Sequence, residues 1–176
     1  MAVNGMRWEF RTFKEHLCDE DWRIAVHEAG HAVFAALNGL LFDIATLHPD
    51  VAVTERRDLE GKDCVEPIRN PLDDDEFPGA IDGWQAFYAA GAAAECLLFE
   101  GVIREYAIRG DEHSHRRINE KFGTSTKFAE SIQCAVAAMA DKRPLLEQVA
   151  LELKQSRKLN YSRVCQILGV EPSWEM

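Results

Sequence analysis

Two histidines and a glutamate, in the stretch Ala25-Val26-His27-Glu28-Ala29-Gly30-His31-Ala32-Val33, have the types and spacing of a metal site. Residues four apart lie on the same side of a helix, one turn above the other. Both imidazoles can then reach a single ion at the roughly 2.0–2.1 Å typical of zinc–nitrogen bonds. Glu28 stands about 100° round the helix from His27, which disfavours it as a third ligand from the same turn. It is well placed to hold a water bound to the metal. The spacing predicts zinc binding by His27 and His31; the competing reading is a pair of satisfied structural histidines.

This chemistry requires the stretch to be helical. Val26, Ala29, Val33, Leu37 and Leu40 recur at helical spacing, and Asn38-Gly39 is a stop signal. Upstream, Asp19 or Asp21 can cap the first free amides, where an acid suits the positive end of the dipole. A helix over 21–38 is expected. Only Gly30 opposes it, at about 1 kcal/mol relative to alanine. A glycine between the two histidines suggests that another backbone passes very close there.

A catalytic zinc usually takes three protein ligands and leaves a fourth position for water. Candidates for the third lie in Gly110-Asp111-Glu112-His113-Ser114-His115-Arg116-Arg117-Ile118. A helix beginning after Gly110 and ending near Gly123, with Ile118 and Phe122 inward, puts Asp111 and His115 on that inner face. Glu112 and His113 then point elsewhere. Asp111 is also a natural helix cap, and His115 could equally be a buried histidine bonded to a neighbour.

Other elements support these two. A helix from about Asp82, its expected cap, to Glu100 contains the run Ala89-Ala90-Gly91-Ala92-Ala93-Ala94-Glu95, whose small side chains allow close approach. It is expected to pack on the histidine helix at Gly30. Residues 7–17 read as a short strand or an arm. The runs 41–47 and 51–54 are expected to pair as a small hairpin or edge sheet, with 55–63 and 71–79 as loops. A fourth helix, capped by Thr124 or Ser125, runs to about Asp141. Pro144 opens a fifth, to about Arg157, and Asn160 caps a last one that stops at Gly169. The fold class is mainly α (α+β), organised as an arm (1–20), a domain (21–170) and a tail (171–176).

Composition narrows the function. At 176 residues and 47% apolar content, the chain can build a proper core. A net charge of −10 argues against nucleic acid as a partner. Cysteines 18, 64, 96, 134 and 165 are odd in number and scattered, which fits free thiols in a reducing cytoplasm. The first fifteen residues do not resemble a signal peptide. Gly83 to Phe99 falls short of the roughly 20 apolar residues of a membrane span, so no membrane partner is expected. There is no phosphate-binding Gly-x-x-x-x-Gly-Lys-Ser/Thr motif.

In these residues the chain resembles the FtsH-type zinc proteases. His27-Glu28-Ala29-Gly30-His31-Ala32 looks like their His-Glu-Ala-Gly-His-Ala motif. Residues 89–99 resemble the family's second helix, Gly-Gly-Arg-Ala-Ala-Glu-Glu-Leu-Ile-Phe. Residues 42–49 are similar to its strand after the zinc helix, and 145–154 with 159–168 to its closing helices. The matches fall in the family's order over roughly 22–168. The resemblance implies a zincin-like helical peptidase domain, with His27 and His31 as ligands and Glu28 as catalytic base. The family's third ligand is an aspartate in Thr-Gly-Ala-x-Asn-Asp. Aligning Gly110 on that glycine puts Ser114 at the ligand position, so the chain departs there. Asp111 is the nearest aspartate and is preferred, with His115 the alternative. Glu95 matches an acidic position of the second helix; it could orient a ligand histidine, or form a buried ion pair. No counterpart of the family's membrane anchor or ATPase module is expected within these residues.

The expected activity is a Zn2+-dependent endopeptidase acting on flexible peptides or unfolded proteins. A separate ATPase or unfoldase and a second copy of the chain, as a homo-oligomer, are candidate partners. Short strands near 42–54 could hold an extended peptide by strand addition. The alternative is a catalytically inactive zinc-binding interaction or regulatory module.

Overall fold

In the computed structural model, residues 2–3, 6–7, 9–11, 20–47, 65–67, 71–72, 80–105 and 107–172 are described. In chain order they form β1 (Ala2–Val3), β2 (Met6–Arg7), β3 (Glu9–Arg11), α1 (Glu20–Leu37), β4 (Phe42–Thr46), β5 (Val65–Pro67) and α2 (Ile81–Leu98). These are followed by β6 (Val102–Arg104), α3 (Arg109–Phe122), α4 (Phe128–Met139), α5 (Arg143–Ser156), β7 (Lys158–Asn160) and α6 (Tyr161–Leu168). The described chain is mainly helical. None of its helices is long and apolar enough to cross a membrane. Cys96, Cys134 and Cys165 are free thiols; positions 18 and 64 lie outside the described residues.

Helix α1 is the centre of the packing. From Ala25 to Ala36 every residue except Glu28 is buried. A helix enclosed on nearly all sides belongs to the middle of a core rather than its surface. It packs against α2, α5 and α6. Helix α2 is equally enclosed, buried from Trp84 to Leu97, with α4 and α3 also packed on it.

The small residues explain how these two helices come so close. A Cβ added at Gly30 would run into the carbonyl oxygen of Ala90 and come within 2.6 Å of the Ala94 Cβ. The passing backbone expected from Gly30 is therefore that of α2.

Helix boundaries depart from expectation at the caps. Asp21 lies in the first turn of α1 rather than before it, as does Asp82 in α2, where the cap position is Ala80. An acid in the first turn still complements the helix dipole; position 19 lies outside the described residues. Helix α4 starts at Phe128, beyond Thr124 and Ser125, and Glu130 Oε2 accepts the Lys127 N–H at 3.1 Å. Thr124 is engaged elsewhere. Its hydroxyl donates to Asn119 Oδ1 at 2.7 Å and accepts from Gln85 Nε2 at 2.8 Å, tying the end of α3 to α2. A 3₁₀ turn at Ala140–Lys142 leads into α5, with Pro144 in its first turn. Asn160 Oδ1 caps α6 by accepting the Arg163 N–H at 2.8 Å, and Gly169 ends it at a φ of 67°.

The strand expected within 41–47 is present as β4. Strand β4 pairs antiparallel with β5 on one side (Phe42 opposite Pro67) and with β7 on the other (Ala45 opposite Leu159). Segment 51–54 lies outside the described residues. Because both sides of β4 already carry partners, strand addition to β4 itself is not available over 42–46. Partners about 20 and 115 positions along the chain leave no local signal. The arm contributes a short antiparallel pair, β1 with β2, and a parallel pair, β3 with β6.

Candidate metal centre

His27 and His31 project from successive turns of α1 towards the first turn of α3. There Asp111 completes a buried cluster whose three facing atoms lie within 4.8 Å of one another. His27 Nε2 stands 3.0 Å from Asp111 Oδ2 and 3.3 Å from His31 Nε2; His31 Nε2 is 3.3 Å from the same oxygen. All three residues are at most 6% exposed.

Asp111 is not a helix cap. Helix α3 begins at Arg109 with Ile108 before it, which leaves the Asp111 carboxylate free to face α1. His115, one turn further on, is buried on the same face but bonds to Ser131 Oγ at 2.8 Å and packs edge-on against Phe128. Glu112 and His113 are exposed, as expected.

The other nitrogen of each ring is already engaged. His31 Nδ1 lies 2.9 Å from the carbonyl oxygen of Phe87, an acceptor only, so Nδ1 carries the proton. His27 Nδ1 lies 3.0 Å from Glu95 Oε1, and Glu95 is fully buried. Glu95 also forms a buried ion pair with Arg104, the second role anticipated for it. Burial alone would raise the Glu95 carboxyl; Arg104 and His27 more than reverse this and hold it down at about 2. As a carboxylate it accepts, and His27 Nδ1 donates.

Both Nε2 lone pairs and the Asp111 carboxylate therefore converge on one another. Three acceptors at 3.0–3.3 Å need a cation between them, either a proton or a metal ion. Without a metal the protons respond accordingly. Burial favours neutral His27, yet its bonds to Asp111 and Glu95 prevail and raise it to about 10. His31 is also raised, Asp111 outweighing burial. Burial pushes the Asp111 carboxyl up, but the two histidines bring it down to about 2. Glu28, half-buried, is shifted upward by burial against the pull of His27 and His31.

Two imidazole nitrogens and one carboxylate oxygen, with the imidazoles oriented from behind, suit zinc and its neighbours among transition metals better than magnesium or calcium. Apart from Glu95, the sequence did not point to the supporting groups. The Phe87 carbonyl and Arg104 leave no motif. Gly91 could have been noticed, since it interrupts the alanine run where the His27 ring needs room. A Cβ there would meet the ring's Cε1 at 2.5 Å. In comparisons with protein-family models and with curated proteins, nothing matches this chain.

Proposed function

We propose that this chain is a zinc-dependent endopeptidase with a zincin-like, FtsH-type peptidase domain, acting on flexible peptides or unfolded proteins. The observation that carries the reading is the convergence of His27 Nε2, His31 Nε2 and Asp111 Oδ2, with both Nδ1 atoms engaged elsewhere.

His27, His31 and Asp111 would hold the ion. A divalent cation bound there supplies Lewis acidity, bringing the pKa of a water to about 7 and polarising a carbonyl oxygen. Glu28 follows His27 directly on α1, and its carboxylate takes a proton from the attacking water and returns it to the departing amine. Glu95 and the Phe87 carbonyl keep the rings from turning. Folded substrates would need a separate unfoldase.

The test combines metal content with cleavage of a labelled unfolded protein. Wild type is expected to hold one zinc per chain and to cleave. Glu28→Gln should keep the zinc and lose about 10²–10⁴-fold in rate. Zinc-loaded wild type that is inert towards varied unfolded substrates would instead favour a binding module.

A further inference from the structure

The polar chain that ends on His27 begins on β6, outside the metal centre. Arg104 is 1% exposed, and its donors converge on Glu95. Its backbone N–H donates to Oε2 at 2.9 Å, its Nε to Oε1 and Oε2 at 3.1 and 3.2 Å, and its Nη2 to Oε1 at 2.8 Å. Nη2 also reaches the carbonyl of Arg23 at 3.2 Å, and Nη1 reaches Glu20 Oε1 at 2.6 Å. Arg23 brings a second guanidinium to 4.0 Å from Glu95 Oε2.

Resting on the metal-centre reading, we propose that Arg104 is a positioning residue for His27. Its guanidinium and backbone N–H fix both oxygens of Glu95, so that Oε1 faces the His27 Nδ1–H and the ring aims Nε2 at the ion.

A carboxylate with one partner can turn about its last bond, whereas one gripped at both oxygens by a planar fork cannot. Glu95 Oε1 is shared between His27 and the fork, so the direction of the Nδ1 bond is set by β6 as well as α2. An acceptor behind a ligand histidine fixes both its tautomer and its orientation, and losing such a partner typically lowers metal affinity 10–100-fold. Lysine would keep the charge but has no fork.

The bland account is that Arg104 merely staples β6 to α1 and α2. Glu20 separates the two accounts, because it accepts from Nη1, whereas Nε and Nη2 hold Glu95. Glu20→Gln should loosen the staple and leave His27 aimed.

The experiment uses the full chain. Zn2+ affinity is measured by chelator competition, and the visible spectrum of the Co2+-loaded protein reports the ligand field. Wild type should bind both ions. Arg104→Lys, Arg104→Met and Glu95→Gln should each weaken Zn2+ about 10–100-fold and shift the Co2+ bands. The double variant Arg104→Met/Glu95→Gln should be little worse than either single change, since both act through one contact. Glu20→Gln should bind as wild type does. If Arg104→Met is too unstable to purify, Arg104→Lys decides. Unaltered affinity and spectrum in the Arg104 variants overturn the proposal, as does an equal loss in Glu20→Gln. A wild-type protein that takes up no ion overturns the metal-centre reading itself, and the proposal with it.

Discussion

The His27 ring lies against the backbone of Gly91, where a Cβ would stand 2.5 Å from its Cε1 and 2.6 Å from its Cδ2. Replacing a mid-helix glycine by alanine ordinarily stabilises a helix by about 0.5–1 kcal/mol. At this position the sign should reverse. The ring is hemmed in by Glu95 and Asp111 and cannot retreat without losing one of them. Gly91→Ala is expected to lose about 1–3 kcal/mol through overpacking, and most of its zinc affinity. Denaturant unfolding and metal content check this; a more stable variant that still binds zinc would mean the ring has another place to go.

Asp111 and His115 occupy the same buried face of α3, one turn apart, and their substitutions should separate cleanly. Asp111→Ala removes the carboxylate that faces both Nε2 atoms and should empty the centre. His115→Ala breaks the buried bond to Ser131, at about 1–3 kcal/mol, and should leave zinc stoichiometry at wild type. Metal analysis of both proteins, with a melting curve for each, distinguishes them. Zinc lost in His115→Ala and kept in Asp111→Ala would reverse the assignment.

Proton and metal compete for the same lone pair. In metal-free protein His27 is raised from 6.5 to about 10, so it contributes stability that is fully present below about pH 6.5 and lost as pH climbs towards 10. Asp111 and Glu95, lowered to about 2, contribute stability present above the ordinary carboxylate range and lost as pH falls towards 2. Metal-free protein should therefore be most stable on the mildly acidic side of neutrality. Zinc binding must displace the His27 proton, and that of His31 where it is held, so apparent affinity should rise at least about tenfold per pH unit between pH 6 and 8. Titrations at several pH values, with calorimetric proton counting, test this. An affinity flat across that range would show that no proton has to leave.

Periodicity within one helix was legible; docking between helices was legible only in part. The i, i+4 spacing of His27 and His31 is a property of α1 alone, and Gly30 announced a neighbour because a bare backbone inside a helix needs a reason. The spacing of Asp111, His115 and Ile118 identified the inner face of α3. Which of the two polar residues meets α1 depends on how α3 docks, which no local pattern encodes. Thr124 misled for the same reason, its hydroxyl being claimed by Gln85 and Asn119 rather than by the helix that follows. Arg104 was invisible because its importance lies in residues 9 and 84 positions away, Glu95 and Glu20.

The contact at Gly30 yields the sharpest test of the packing, because α2 contains its own control. An alanine Cβ at Gly30 strikes the Ala90 carbonyl, a rigid part of α2, and the Ala94 Cβ at 2.6 Å. Neither can rotate away, so α1 and α2 must separate. Separation draws His31 from the Phe87 carbonyl and His27 from its seat on Gly91, both on α2. Gly30→Ala should therefore lose about 1–3 kcal/mol and weaken zinc binding at the same time. Gly83, in the first turn of α2, has nothing within 4 Å of an added Cβ. Gly83→Ala should be neutral, or stabilising by up to about 1 kcal/mol, with zinc affinity unchanged. Urea unfolding of both variants, compared by midpoint at equal slope, reads the difference. Equal midpoints would mean that α1 and α2 do not meet at Gly30, and the metal centre would lose the wall that holds its rings in place.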